Sequence, residues 1–511
     1  MKSRKLLVLL GIASLPILTI FVIQEVQSRA VARYQRQLLA AGERLDIADI
    51  IPPPPLPEKN GAPIFLEAMA GRSWSFTNLL DKNSPASMRM IGPGKAIVGW
   101  AQPDVRDDQT NSWAEIESAL GDWSETLDAV REAAERPVFD FHLDYRQGFG
   151  LLLPHLAPLK HTQQLLAATA LCSLHRGDAA TATTNVEAML NLMRSTGYER
   201  FAISQLVRMA MAQIAVPATW ELLQSPQVTD AELAAIQRGW TDLDFIQPTE
   251  DAAALERAMG QMMLERMRQS GAQFRQIAGG GMAGSSYSSG PSGEAFLRGI
   301  VLGAKEAEWR LFFSNPDQLR ALKGHQVVLE SLRMVKAGKP FTVAISRQTS
   351  RLAELGLDPS TDNSGAGFNS SDPDLRSFFS ETVKWTSRGL TRVFDVEIAR
   401  DVALTAVALK RYQLRHGQYP AALSALVPEL LPAVPRDPAD GQPLRYRLEP
   451  DGTYLLYSVG EDGIDNGGDA TREVESKTPR WEKGRDCVWP WPASAEEVAA
   501  WRQKGGKKGG R

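Results

Sequence analysis

Hydrophobic residues recur at helical intervals over most of the chain. Val186, Met189, Leu190 and Met193 fall at positions i, i+3, i+4 and i+7, which puts them on one face of a helix. Between residues 151 and 244, such segments run for about 15 to 20 residues and are separated by short polar turns. This pattern predicts helical hairpins that stack as a bundle or as a solenoid.

The pattern changes towards the C-terminus, where a helix is followed by strands. A helix over residues 396–416 is predicted to end at Gly417 and Pro420, because glycine favours helix ends and proline cannot continue a helix. Residues 444–448 and 453–459 then alternate in the manner of strands and flank the turn sequence Glu-Pro-Asp-Gly. The predicted fold class is therefore mainly α, with a helical body and a small C-terminal α+β module that contains a β-hairpin.

These changes divide the chain into segments of different character. The predicted segments are a membrane anchor (1–27), a helical and extended region with a proline-rich strap (28–150), an α-helical body (151–395), the α+β module (396–480), and a basic tail rich in tryptophan (481–511). Glycine and serine cluster at residues 278–294 and 360–374, which predicts two flexible loops within the body.

The N-terminal residues have the pattern of a membrane-spanning helix. A short basic stretch precedes an uncharged run, Leu6–Ile23, which would extend about 27 Å as a helix and just cross the hydrocarbon core. A retained anchor and a signal peptide cleaved near Ser28 and Ala30 both remain open. The anchor is favoured, because the run is longer than a usual signal-peptide core. It predicts a single-pass inner-membrane protein whose bulk is periplasmic or extracytoplasmic.

Charge and cysteine content exclude several classes of protein. The chain has 57 basic and 60 acidic residues and a net charge of -3, so it is not a nucleic-acid binder that works through bulk charge. Two cysteines, Cys172 and Cys487, exclude a cysteine-rich metal site but leave one disulfide open. The sequence contains no His-Glu-x-x-His zinc motif, no phosphate-binding P-loop and no Gly-x-Ser-x-Gly elbow.

An acidic, glycine-rich loop follows the second predicted strand. Asp462, Asp465, Asn466 and Asp469 bring four oxygen-bearing side chains together, and the intervening glycines allow the backbone to curl. Calcium requires several oxygen ligands on a flexible scaffold. The spacing differs from that of an EF-hand, and Asp and Gly also favour tight turns without any metal. Composition alone therefore leaves a calcium site and a plain loop open.

Three short motifs surround this loop in a fixed order. They are Gly-Gln-Tyr-Pro at 417–420, Asp-Pro-Ala-Asp-Gly-Gln-Pro at 437–443, and Tyr-Ser-Val-Gly-Glu-Asp-Gly at 457–463. In this order the region resembles the C-terminal domain of the major pseudopilins of type II secretion systems. The resemblance implies that the loop binds Ca²⁺ through the carboxylates of Asp462, Asp465 and Asp469 and the carbonyl of Val459.

A second polar cluster lies in the sequence Pro-Val-Phe-Asp-Phe-His-Leu-Asp-Tyr. On a strand, Asp140, His142 and Asp144 would share one face, with about 6.5 Å between successive members. Two carboxylates and a histidine suit metal binding or acid–base catalysis. The favoured alternative is an extended segment with its polar face in water, because no nucleophile or further ligand lies nearby in sequence.

Taken together, the patterns predict a membrane-anchored, extracytoplasmic interaction or scaffolding protein without catalysis. Its module would be stabilised by calcium, and its partners would be the inner membrane and envelope or secretion-system proteins. The alternative is an envelope hydrolase that uses residues 140–144. Since the N-terminus lacks a pseudopilin leader, we expect a pseudopilin-like module on a different body, linked to type II secretion or pseudopilus assembly. That body, at residues 45–68 and 151–170, is similar to uncharacterised membrane-anchored bacterial proteins.

Overall fold

A computed structural model describes residues 2–72, 87–103, 112–278, 301, 303–357, 376–471 and 480–505, with side chains described except at 2–17, 277–278 and 504–505. Helices predominate, as predicted. They are α1 (Lys2–Ala40), α2 (Ala62–Met69), α3 (Trp113–Gly121), α4 (Ser124–Glu135), α5 (Leu156–His175), α6 (Ala179–Thr196), α7 (Ala202–Leu223), α8 (Asp230–Thr241), α9 (Ile246–Gln269), α10 (Gly271–Ala278), α11 (Ser314–Lys336), α12 (Phe341–Glu354), α13 (Ser380–His416) and α14 (Ala495–Gly505). The predicted loops at 278–294 and 360–374 lie outside the described residues, apart from residue 278.

The predicted anchor and the segment after it form one continuous helix, α1. Val31 and Leu38 of α1 pack against Leu322 of α11, so the C-terminal half of α1 belongs to the body. Among the residues whose side chains are described, no helix is long and apolar enough to cross a membrane. Most side chains of the run Leu6–Ile23 lie outside that set.

The predicted helical hairpins are present in the body. α5 and α6 are joined by a short turn in which Gly177 has a φ of 78°, a conformation that glycine adopts without strain. The Asp178 side chain accepts the Thr181 backbone N–H at 2.9 Å and so caps α6. α7 packs on both α5 and α6, so the hairpins stack through shared apolar faces.

Helix α13 is the centre of the molecule. It contacts α7, α8, α9, α11 and α12, and residues such as Val402, Ala406 and Val407 are completely buried. A helix that is apolar on most sides is buried on most sides. Because α13 runs without a break through residue 396, the predicted division there does not mark a break in the fold. The helix ends at Gly417, whose φ is 78°.

The predicted hairpin at the C-terminus is confirmed. Strand β3 (Arg445–Leu448) pairs antiparallel with β4 (Tyr454–Ser458), and β4 pairs antiparallel with β5 (Cys487–Val488). Cys172 and Cys487 are both buried and both free, so the disulfide left open by the sequence is not formed in this structure.

The C-terminal tail is part of the core. Strand β6 (Trp491–Pro492) pairs parallel with β2 (Lys95–Ile97), which pairs antiparallel with β1 (Arg89–Gly92). The buried rings of Trp481 and Trp489 meet edge to face with centroids 5.5 Å apart. The tail segment therefore closes a sheet with residues that precede the body in sequence.

A buried carboxylate holds this second sheet against the body. Glu221, near the end of α7, accepts the Met88 N–H at 2.7 Å and the Gly99 N–H at 2.9 Å. Burial raises the pKa of Glu221 to about 8, although these hydrogen bonds act in the opposite direction.

Candidate functional site

The acidic loop is organised around two buried aspartates. Asp437 lies in the Asp-Pro motif and is completely buried. Its carboxylate accepts the Ser458 hydroxyl at 2.7 Å and the backbone N–H groups of Val459 and Ala439, each at 2.9 Å. Burial raises the pKa of Asp437 despite these bonds. This side chain therefore fixes the end of β4 to the Asp-Pro loop.

The second aspartate, Asp486, lies inside the curl of the loop. It is also completely buried. One oxygen accepts the Asn466 N–H at 3.3 Å, and the other accepts the N–H groups of Gly468 at 2.7 Å and Asp469 at 3.1 Å. Gly468 has a φ of 85°, and a Cβ added there would come within 2.6 Å of the Leu455 side chain. The loop therefore turns its backbone N–H groups towards a carboxylate.

Arg445 of β3 is the cationic centre of the region. Its guanidinium lies 2.6 Å from Asp440, 3.3 Å from Asp437 and 3.3 Å from Asp465, measured between nitrogen and oxygen. The N–H of Gly467 lowers the pKa of Asp465, and Arg445 and Tyr457 contribute to the same shift. Burial acts to raise the pKa of Asp440, but the hydrogen bonds and charge of Arg445 together with the Gln442 N–H lower it overall.

The predicted calcium ligands have partners of their own. Asp462 accepts the Ile464 N–H at 2.9 Å, and Asp465 accepts the Gly467 N–H and the Tyr457 hydroxyl, each at 2.9 Å. The Asp469 carboxylate accepts the Thr471 N–H at 2.9 Å and has its other oxygen 3.8 Å from the Arg485 guanidinium.

These partners bear on whether the residues fit a calcium ion. The Gly468 and Asp469 N–H groups inside the loop donate to the Asp486 carboxylate. Within the described ranges, no three His, Cys, Asp or Glu side chains are grouped so that they could hold a metal ion. Calcium binding by this loop stays a prediction.

Asp437 lies in one of the three motifs of the sequence, whereas no motif or spacing in the sequence predicts a role for Asp486. Asp486 lies 17 residues beyond Asp469, in the segment that the sequence divides off as a tail. The pairing of β4 with β5 brings it under the loop, and its N–H bonds the Asp469 carbonyl at 2.9 Å. Arg445 carried no signal either, because a lone arginine at the start of a short strand usually faces solvent.

The cluster at residues 140–144 does not form a strand. The Asn60 amide holds this segment, donating to the Asp140 carbonyl and accepting the Asp140 N–H, each at 2.9 Å. His142 is exposed with a φ of 53°, and its Nδ1 lies 3.2 Å from the Asp140 carboxylate. Asp144 is separate, because it caps a 3-10 helix by accepting the Arg146 N–H at 3.2 Å. The three side chains therefore do not share a face.

A buried histidine lies beneath this segment. His155 Nε2 is 2.7 Å from the Glu199 carboxylate, which also accepts the Ser204 hydroxyl, and the His155 ring stacks on Phe141 with centroids 3.9 Å apart. All three polar residues are buried. The serine contacts the glutamate rather than the histidine, so the set lacks a nucleophile–base contact. It joins α5 to α7.

A buried ion cluster joins α1 to the body. Glu43, just beyond α1, accepts hydrogen bonds from Arg257 and Gln326, each at 2.9 Å, and from Arg333. Arg333 also bonds Glu250 at 2.7 Å. The hydrogen bonds from these side chains outweigh the effect of burial and lower the pKa of Glu43 to about 2. The junction is therefore fixed by a Glu43–Arg257 pair that is removed from water and by Arg333, which is partly exposed.

A cleft of about 730 Å³ opens beside this junction. It lies between the end of α1, the segment that follows it and the middle of α9. Its walls combine apolar side chains with both signs of charge: Leu39, Leu45, Ile47, Met262, Asp46, Glu265, Arg146 and Arg266. A mixed lining of this kind suits a protein or peptide partner.

Comparison with protein-family models, with curated proteins and with solved structures finds no match to this chain.

Proposed function

We propose that the protein is a membrane-tethered, extracytoplasmic interaction protein without catalytic activity. The single observation that carries this proposal is the continuity of α1, which runs from the apolar segment into the body without a break. The Glu43 cluster then fixes the end of α1 to α9 and α11. A helix held in this way positions the body at a set distance from the bilayer.

The membrane part of the proposal is tested by fractionation and topology. Cells that express the full chain are broken, and their membranes are washed with alkaline carbonate. The protein is expected to stay in the membrane pellet and to be digested by protease in spheroplasts but not in intact cells. A soluble mature chain that begins near Ser28 would support a cleaved signal peptide and would refute the anchor.

The interaction part of the proposal is tested at the cleft. A photo-crosslinking amino acid replaces Leu39, which lines the cleft and is exposed, and in a control chain it replaces Val343, which is equally exposed on α12. A discrete adduct in membranes at position 39, without the same adduct at position 343, is expected. Identical patterns at both positions would refute partner binding at the cleft.

The link to secretion or pseudopilus assembly rests on the order of the three motifs. Mass spectrometry of the adduct is expected to identify an envelope or secretion-system protein. The hydrolase alternative has less support, because Asp144 accepts the Arg146 N–H while His142 contacts Asp140, and the nearby His155 is buried.

A further inference from the structure

The helix that leads into α11 contains an unusual turn with exposed apolar side chains. Residues Trp309–Phe313 form a π-helix, in which the Ser314 N–H bonds the Trp309 carbonyl. Such turns are rare and are frequent at functional sites. Trp309 is completely buried, whereas the neighbouring Leu311 and Phe312 are 40% and 39% exposed. The turn therefore presents two adjacent large apolar side chains outward.

This π-helix lies where the apolar run of α1 ends. The Gln24 side-chain amide donates to the Arg310 carbonyl at 3.0 Å and to the Leu311 carbonyl, and it accepts from Asn315 at 3.2 Å. Gln24 follows Ile23, the last residue of the uncharged run. If the run crosses the hydrocarbon core, then Gln24 marks the membrane surface, and the π-helix lies at the same level.

The adjoining part of α1 is itself uncovered by the body. Phe21 is 67% exposed. The apolar side chains around it on α1 are exposed too: Leu18, Val22, Ile23 and Val26. Leu311 and Phe312 add exposed apolar side chains on the π-helix that Gln24 bonds. Clusters of exposed apolar side chains mark contacts with proteins or membranes.

Charged groups flank these apolar side chains in the way that bilayer interfaces favour. Arg310 lies within the π-helix and bonds Glu306 at 2.8 Å, and Arg268 lines a cleft of about 420 Å³ with Phe21 and Arg310. An apolar face with arginines at its edge is typical of helices that lie at the boundary between headgroups and acyl chains.

We propose that Leu311 and Phe312 insert into the bilayer surface beside α1 and form a second membrane contact for the body. This inference rests on the proposed function, because it requires that the run Leu6–Ile23 crosses the membrane. The contact would set the tilt of the body on the membrane, which a single helix cannot do. The occupant is the lipid boundary rather than another protein, because these residues adjoin the point where α1 is expected to enter the bilayer.

The test uses the full chain in nanodiscs with one copy per disc. A bimane fluorophore is attached to the cysteine of Phe312→Cys. In separate chains it is attached to Phe21→Cys and, as the control, to Val343→Cys, an exposed position on α12. The native cysteines are buried, so labelling is directed to the introduced thiol. Lipids with a nitroxide in the upper acyl chain quench a fluorophore that lies at that depth.

The expected result is loss of most fluorescence at positions 21 and 312 and little loss at position 343. Quenching at position 21 without quenching at position 312 above the level at 343 would overturn the second contact and leave the anchor standing. Absence of quenching at position 21 would refute the anchor, and the second contact with it. Leu311→Cys repeats the test at the adjacent exposed residue, so a local labelling artefact at 312 does not decide the outcome.

Discussion

Replacing Asp486 by Asn tests whether the acidic loop is held by the protein's own carboxylate. The side chain is completely buried and accepts three backbone N–H groups, those of Asn466, Gly468 and Asp469. Asn has nearly the same shape, but it keeps one acceptor oxygen and replaces the other with an NH₂ donor. The substituted amide therefore faces at least one N–H donor that it cannot satisfy.

The size of the effect follows from these contacts. Hydrogen bonds to charged groups contribute about 1.5 to 3 kcal/mol each, and a buried donor left without an acceptor costs about 1 to 3 kcal/mol. We therefore expect the free energy of opening the loop to fall by about 3 kcal/mol. Since every 1.4 kcal/mol is tenfold, amides of the loop should exchange roughly 100-fold faster with solvent deuterium.

Hydrogen exchange followed by mass spectrometry measures this directly on peptides that cover residues 464–470. The matched control is Asp462→Asn, which removes the charge but keeps an oxygen that can accept the single Ile464 N–H, so the opening free energy should change by no more than about 0.5 kcal/mol. Unchanged exchange in the Asp486 variant would refute this account of the loop, and so would equal acceleration in both variants.

Three further predictions concern calcium and pH. The pseudopilin resemblance predicts a higher thermal unfolding midpoint in calcium than in chelator, and equal midpoints would refute the calcium site. Glu43 has a pKa lowered to about 2, so its contribution to stability is present above pH 4.5, the ordinary value, and is lost as the pH falls towards 2. Denaturant unfolding should show this loss in the native chain and not in Glu43→Gln, and equal slopes in both would contradict it. Burial raises the pKa of Glu221 to about 8, so the folded state binds more protons than the unfolded state above pH 4.5. Stability should therefore fall between pH 4.5 and 8, and a fall that persists unchanged in Glu221→Gln would exclude this group as its source.

Local patterns predicted the elements that depend on local contacts. The helical spacing around Val186 and the turn sequence between β3 and β4 were sufficient to predict α6 and the hairpin. The contacts of residues 137–145 could not be predicted locally, because the Asn60 side chain, far away in sequence, bonds the backbone N–H and carbonyl of Asp140. The position of Asp486 also depends on contacts between distant segments, which periodicity does not encode.

The joining of β6 to β2 has a consequence for biogenesis. The Trp491 N–H bonds the Gly94 carbonyl at 2.9 Å, and the Ala493 N–H bonds the Ala96 carbonyl at 2.8 Å. Synthesis proceeds from the N-terminus, so the first sheet waits for almost the whole chain to leave the ribosome. Until the C-terminal segment arrives, β2 has one edge without its β6 partner. A C-terminal truncation that removes β6 should leave the edge of β2 near residue 96 exposed. A chaperone that binds unpaired strands is then expected to bind there.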